Sequence, residues 1–234
     1  MSTDFYARLE QQRGSRPSEQ TTAALARALR LTPDERDHLF ALAGHTPPPR
    51  AFRTDHASPG LLRVLNLLET PAQIVSDLGV TLSQNPLAEA LVGVQTQYIG
   101  LRRSLIYRWF TDPVQRQLHP EADHPLHSRT HVASLRAVLG RSPEDPEASE
   151  LLDRLLVESE EFALLWKRHE VTTRIRTVKR FLHPLIGQLT LDCQILTAEN
   201  LTERLIVFTA RPGSEDAEGL ALLSVVGSQG FAGA

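Results

Sequence analysis

The chain has 234 residues, of which 41% are hydrophobic and 23% charged, and its formal net charge is −3. This composition is typical of a soluble globular protein with a sizeable core and room for two unequal domains. A slightly acidic chain lacks a global nucleic-acid signature, so any affinity for DNA must come from a local patch. The sequence has no apolar run that approaches the roughly 18 residues of a membrane span and no secretory signal, which predicts a cytoplasmic protein without membrane association.

Cysteine and lysine are both rare in this sequence. Cys193 is the only cysteine, which excludes an internal disulfide and a multi-cysteine metal site. It lies in an apolar, strand-like run, so we expect a buried and inert thiol. Lysine occurs only at Lys167 and Lys179. The excess of Arg, with abundant Ala, Leu and Pro, indicates a GC-rich coding sequence and hence a bacterial source.

The first fourteen residues predict a short amphipathic helix. Ser2 is a good N-cap, and Tyr6 and Leu9 fall on one face at a spacing of three. The opposite face carries small or polar side chains: Thr3, Asp4, Ala7 and Arg8. A helix of this kind suits a DNA major groove, but the same pattern fits an ordinary surface helix.

Residues 17–44 predict two more short helices. Thr32-Pro33 is a start pattern, with a Thr N-cap and Pro in the first turn, and Gly44 is a plausible stop. The helical unit therefore covers residues 1–45. Residues 46–57 contain three successive prolines and predict a stiff linker.

The remaining residues, 58–226, predict a larger domain with helices packed on an antiparallel sheet, which is the α+β class. Its first part predicts one strand over 74–82 between short helices, then a helix through Tyr98 and Trp109 and a long helix from Pro146 through Trp166. Its second part predicts antiparallel strands at 172–181, 188–196 and 204–210, a last helix, and a flexible tail at 227–234.

Histidines form the only cluster that could suggest metal chemistry. His127 and His131 have the i, i+4 spacing that can bind a metal on a helix, and His119 and His124 precede them. Prolines interrupt the cluster, so solvated surface histidines are the favoured interpretation over a zinc site. His183 before Pro184 predicts a turn histidine that hydrogen-bonds backbone rather than a general base. The sequence carries no phosphate loop and no nucleophile elbow, and we expect neither an enzyme nor a cofactor.

Several strings, in order along nearly the whole chain, resemble the MmyB-like branch of the Xre-type helix-turn-helix transcription regulators. In the N-terminal unit the strings are FYARLE (5–10), ALARAL (24–29) and LFALAG (39–44). In the larger domain they are NPLA (85–88), WKRHEV (166–171), KRFLHP (179–184), GQLTL (187–191) and TARPGS (209–214).

The resemblance implies a DNA-binding head followed by a PAS-like ligand-binding domain with an apolar, fatty-acid-like effector. It implies that the first helix is the recognition helix. It also implies a homodimer that binds a palindromic operator in double-stranded DNA. Ser2 would face phosphate, Thr3, Asp4, Ala7 and Arg8 would face base edges, and Arg13 and Arg16 would contact the DNA backbone. Large aromatic residues at helical spacing are most often core, but in such a domain some should also line the ligand cavity. These candidates are Trp109, Phe110, Phe162, Trp166 and Phe181.

The sequence departs from the family pattern at three points. The family's head has five helices, of which only the last three are recognised here. Gln12 stands where a Gly usually ends the recognition helix, and Ser104 replaces the Asn that usually follows Arg103. Two hypotheses follow: a ligand-responsive regulator, or a ligand-binding and dimerisation module that has lost DNA binding. A third, an enzyme of unrecognised type, rests on the histidine cluster alone.

Overall fold

A computed structural model of the chain describes residues 16–47, 53–169, 178–198 and 202–230. The chain divides into two compact units, residues 1–50 and residues 51–234. No helix within the described ranges is both long enough and apolar enough to cross a membrane.

The smaller unit contains helices α1 (Glu19–Ala28) and α2 (Pro33–Leu42), which correspond to the two short helices predicted over residues 17–44. The Ser18 hydroxyl accepts a hydrogen bond from Thr21 N at 3.3 Å and caps α1. Thr32 and Glu35 form a capping box on α2, with a 2.8 Å bond from Thr32 N to Glu35 Oε2. Gly44 follows α2 with a φ of 76°, which glycine adopts without strain. The predicted first helix lies outside the described residues.

The larger unit is built on a five-stranded antiparallel sheet in the order β2-β1-β5-β4-β3. The strands are β1 (Ala72–Ser76), β2 (Thr81–Gln84), β3 (Val178–His183), β4 (Gly187–Thr197) and β5 (Glu203–Thr209). The prediction of a single strand over 74–82 is wrong, because a tight turn divides it into a hairpin. Gly79 has a φ of 73° in that turn, a conformation that only glycine adopts readily. The α+β class is confirmed.

Helices cover the sheet and form a second layer. They are α3 (Pro59–Leu67), α4 (Pro86–Val92), α5 (Leu105–Thr111), α6 (Pro113–Arg116), α7 (His124–Arg141), α8 (Pro146–Glu158), α9 (Glu160–Trp166) and α10 (Glu215–Gly230). Short 3₁₀ turns span Gly100–Arg103 and Glu121–Asp123.

Two predicted helices differ from the observed ones, each because a serine interrupts the pattern. The long helix through Trp166 breaks at Ser159, whose hydroxyl accepts from Phe162 N at 3.2 Å and caps α9. The helix through Tyr98 begins instead at Leu105, because Ser104 caps α5 and donates to Leu78 O at 2.7 Å. The last helix, α10, continues to Gly230 and so overlaps the first residues of the predicted tail at 227–234, whose flexibility stays a prediction.

The core of the larger unit has three parts. One joins helices α5, α7, α8 and α9, with Leu135, Leu151 and Phe162 at its centre. A second packs β3, β4 and β5 against α4 and α10. It includes Cys193, which is buried as predicted. Burial raises the pKa of the Cys193 thiol. A third lies between α3 and β1.

The end of the predicted linker, 46–57, is held by the larger unit. The Arg53 guanidinium binds Asp77 and Asp145 at 2.8 Å each and Glu147 at 3.0 Å. Burial alone would lower the pKa of Arg53, but the hydrogen bonds that Arg53 donates to Asp145 and Asp77 raise it above its ordinary value. Arg53 is therefore a buried cation whose charge is balanced by carboxylates.

Candidate ligand-binding site

Trp109, the first of the aromatic residues expected to line a ligand cavity, is a core residue. Its side chain is 1% exposed, and its indole Nε1 donates to Ser128 Oγ at 2.8 Å. The ring stacks on His127 with centroids 5.1 Å apart. Both the apolar body and the polar tip of Trp109 are satisfied within the protein.

Of the other four aromatic candidates, Phe162 and Phe181 are buried, and Phe110 and Trp166 are half-buried against the same core. Phe162 is fully buried, edge-to-face with Phe110 at 5.1 Å and stacked with Trp166 at 5.7 Å. Phe181 lies edge-to-face with Phe208 at 5.2 Å. None of the five candidates lines either of the two cavities described below. Their role in ligand binding stays a prediction.

The histidine cluster surrounds Trp109 instead of facing solvent. The rings of His119, His124, His127 and His131 have centroids between 5.1 and 6.0 Å from the Trp109 ring. The prediction of solvated surface histidines is therefore wrong, because sequence spacing does not show that they share one aromatic neighbour. Within the described ranges, no group of three or more His, Cys, Asp or Glu side chains could hold a metal ion.

Burial sets the protonation state of this cluster. It lowers the pKa of His119 to about 4, of His127 to about 2 and of His131 to about 3. These three imidazoles are therefore neutral at pH 7. His119 Nδ1 is hydrogen-bonded to Arg180 O at 2.7 Å, and His124 Nε2 lies 3.0 Å from two backbone carbonyls.

His183 is the turn histidine that the sequence predicts. Its Nε2 lies 3.0 Å from Ala90 O, and its Nδ1 accepts from Leu185 N at 3.3 Å. Both ring nitrogens are thus committed to backbone groups, which confirms the prediction of a backbone-bonded turn histidine.

A groove of about 520 Å³ is large enough for a small organic ligand, since such pockets are typically about 300–1,000 Å³. It lies between the end of α4, the α5–α6 region and the β3–β4 turn. Its apolar walls are Val92, Val114, Leu118, Leu182 and Pro184, and its polar lining is Gln95, Tyr98, Asp112, Gln115, Gln117, His183, Gly187 and Gln188.

Beneath the polar part of this groove lies a buried cation, Arg108, with no exposed surface. Its Nε donates to Gln115 Oε1 at 3.2 Å, and its Nη2 donates to Gln95 Oε1. Its Nη1 donates to Arg103 O at 3.0 Å, and the Tyr98 ring lies 4.0 Å from the guanidinium carbon.

All these partners of Arg108 are neutral, and no described carboxylate forms an ion pair with it. Burial lowers the pKa of Arg108 to about 10, so the group remains charged at pH 7. The Arg108 charge, which no direct ion pair balances, would therefore attract an anionic group in the adjacent groove, where the Asp112 carboxylate is itself paired with Arg102 at 2.7 Å.

A second, smaller cavity of about 70 Å³ lies between α7 and β3. Its described lining is Asp123, Leu126, His127, Thr130, Val178, Lys179, Arg180 and Thr190. Arg180 and Asp123 form a bidentate pair with two contacts of 2.7 Å. Desolvation by burial lowers the pKa of Lys179. The cavity is too small for a drug-sized ligand.

The residues expected to contact DNA belong to the smaller unit. Ser2, Thr3, Asp4, Ala7, Arg8 and Arg13 lie outside the described residues. Arg16 is exposed, and its guanidinium lies beside Gly44, where an added Cβ would be 2.9 Å from Arg16 Nη1. The role of these residues in DNA binding stays a prediction.

The larger unit is an α+β domain with a groove of the size that small-molecule ligands occupy. The family model of the MmyB-like transcription regulator ligand binding domain matches residues 57–223, and the chain belongs to this family. The resemblance seen in the sequence is thus confirmed for the larger domain. No curated protein matches the chain.

Sequence reasoning missed the two charged residues on which the cavities depend. Arg108 lies between two aromatic residues of α5, and its sequence neighbours give no indication that it is buried. Lys179 could have been found, because strand alternation places it on the same face of β3 as Phe181 and His183. A lysine at an inward position of a strand is unusual enough to examine.

Proposed function

We propose that the protein is a ligand-responsive bacterial transcription regulator of the cytoplasm, in which the larger domain binds a small effector and the smaller unit binds DNA. Membership of the regulator family over 57–223 supports the effector-binding role. The two capped helices α1 and α2, in a separate compact unit, support a helical DNA-binding head. We expect no catalytic step.

The groove above Arg108 is the proposed effector site, and the unbalanced charge of Arg108 is the observation that carries this proposal. Val92, Val114 and Leu182 offer an apolar wall, while Gln115 and Tyr98 offer a polar end close to the guanidinium. A molecule with an apolar body and one carboxylate complements both parts. A fatty-acid-like effector has this chemistry.

Arg108 would act on such a carboxylate through its charge and through Gln115. The Arg108 donors already serve neutral acceptors, and the Asp112 carboxylate, whose charge acts against the lowering of the Arg108 pKa, is ion-paired with Arg102 at 2.7 Å. The amide nitrogen of Gln115 forms no hydrogen bond within the described ranges and is a candidate donor to the carboxylate. The apolar body would contribute through the area that it buries.

For DNA recognition we propose the first helix, with Thr3, Asp4, Ala7 and Arg8 toward base edges. Ser2, Arg13 and Arg16 would contact phosphates. A homodimer would present two such helices to a palindromic operator, and effector binding would change the affinity by altering how the two heads are spaced.

Two measurements on the full chain test this function. Native mass spectrometry after gentle purification should detect a bound apolar acid. Fluorescence anisotropy with upstream DNA and with scrambled DNA, at two salt concentrations and with and without added fatty acid, should give a specific affinity that the acid changes. Specific binding with no response to the acid contradicts effector control. Acid binding with only non-specific, salt-sensitive DNA binding identifies a ligand-binding module that does not regulate DNA.

A further inference from the structure

Lys179 occupies an inward position on β3 that is normally apolar. Its partner across the β3–β4 ladder is Leu191, and the next inward pair along the same face is Phe181 with Leu189. Phe181, Leu189 and Leu191 are all buried, so Lys179 shares the face of the sheet that packs on the core. A lysine ammonium in such a position loses hydration and needs a compensating polar partner.

The described part of the chain supplies no such partner. Lys179 has no hydrogen bond and no ion pair with any described residue. The nearby Asp123 carboxylate is engaged by Arg180 through two 2.7 Å contacts, so that pair is close to neutral. The neighbouring His119 and His127 are neutral at pH 7 because burial lowers the pKa of each. The ammonium of Lys179 is thus a locally unbalanced positive charge.

The cavity beside Lys179 has a donor suited to an anion. His127 lines it, and a neutral imidazole has one N–H to donate. A volume of about 70 Å³ exceeds the ~10–15 Å³ that one water requires, but it is far below that of the groove.

We propose that the cavity between α7 and β3 binds a small oxyanion, with Lys179 as its charged ligand and His127 as a hydrogen-bond donor. The occupant is a carboxylate group or an inorganic oxyanion such as phosphate, since both present oxygen acceptors at the size of the cavity. This site is separate from the effector groove, since the linings of the two cavities share no residue.

The scarcity of lysine allows a direct test on the full chain. Selective labelling with ¹³Cε,¹⁵Nζ-lysine gives only two side-chain resonances, from Lys179 and from the exposed Lys167. Titration with acetate and, separately, with phosphate should produce a saturating shift of the Lys179 resonance. Lys167 serves as the internal control and should change only slightly and linearly. Sodium chloride at matched ionic strength controls for screening.

Two variants sharpen the result. Lys179→Met should remove saturable binding of both anions, measured by isothermal titration calorimetry, while Lys167→Met should leave it unchanged. Saturation by acetate alone identifies a carboxylate site, and saturation by phosphate alone an inorganic oxyanion site. Equal, non-saturating shifts of both lysines, or no shift of Lys179, would overturn the proposal.

Discussion

Arg53 and Arg108 are both largely removed from water in the same domain, but their surroundings differ. Three carboxylates contact Arg53, and its pKa is raised. Arg108 contacts amide oxygens, carbonyls and an aromatic ring, and its pKa is lowered to about 10. Carboxylates that form ion pairs with a buried cation balance its charge within the protein. A buried cation with neutral partners keeps a positive charge that can attract an anionic ligand. Lys179 extends the second case, since it has no described partner at all.

The largest expected effect is the loss of the carboxylate-bound cation. Arg53→Met leaves Asp77, Asp145 and Glu147 without their common partner, and we expect the free energy of unfolding to fall by about 3–5 kcal/mol. Urea denaturation followed by circular dichroism measures this change. Arg63→Met, at an exposed position of α3, is the control and should change stability by no more than ~0.5 kcal/mol. A loss at Arg53 no larger than at Arg63 would contradict the structural role.

The neutral histidines around Trp109 should make stability depend on pH. Their folded pKa values of about 4, 2 and 3 lie below the usual 6.5, so the unfolded chain binds more protons below pH 6.5. The free energy of unfolding should therefore fall as the pH drops from about 6.5 toward 4, by up to ~1.4 kcal/mol per pH unit for each histidine.

Denaturation midpoints at pH 7.5, 6.0 and 5.0 test this dependence. His127→Phe keeps an aromatic ring against Trp109. It should reduce the slope of the unfolding free energy against pH by the equivalent of about one proton. His56→Gln, at an exposed position, should leave the slope unchanged. A pH-independent stability of the unaltered protein over this interval would show that the histidines are not buried as neutral groups.

Arg108 should contribute less to stability than Arg53. Arg108→Met leaves Gln95 and Gln115 oxygens without their donor, which costs about 1–3 kcal/mol, but it also removes the desolvation of an unbalanced charge. Urea denaturation at pH 7 should give a loss smaller than that of Arg53→Met. A loss equal to or larger than the Arg53 loss would contradict the distinction between the two cations.

Lys179 should show the smallest effect on stability, and with the opposite sign. Burial lowers the pKa of Lys179, because the charged ammonium is less favourable in the folded protein than in water. Lys179→Met removes this cost and should raise the free energy of unfolding by on the order of 1 kcal/mol at pH 7. Thermal denaturation in an anion-poor buffer is the appropriate measurement. A clear destabilisation would mean that Lys179 has a stabilising partner in the fold.

Local sequence chemistry predicted most of the element boundaries. Ser18, Thr32, Asn85 and Asp145 each accept a hydrogen bond from the first turn of the helix that follows, as their residue types indicate. The errors occur where one residue interrupts an otherwise continuous pattern, at Gly79 in the hairpin and at Ser159 between α8 and α9. A single turn residue can override the periodicity of its neighbours.

The candidate site was less predictable, for a physical reason. The family resemblance implied an apolar effector and large aromatic residues in its cavity, but Trp109 packs among histidines and Phe162 packs on Phe110 and Trp166. The groove is defined instead by residues far apart along the chain, among them Gln95, Gln115 and Leu182. The convergence of Gln95 and Gln115 on one buried guanidinium depends on tertiary packing, which periodicity does not encode.

The groove assignment is tested most directly by binding of dodecanoate to a matched pair of variants. Val114 lines the groove and is 65% exposed, whereas Val157 is 83% exposed on α8 and outside it. Val114→Glu adds a carboxylate to the apolar wall, and calorimetry should show at least about tenfold weaker dodecanoate binding than in Val157→Glu or the unaltered protein. Dodecan-1-ol, which lacks the carboxylate, should bind the unaltered protein more weakly than dodecanoate. Equal affinities of the two variants for dodecanoate would contradict the assignment of this groove as the effector site.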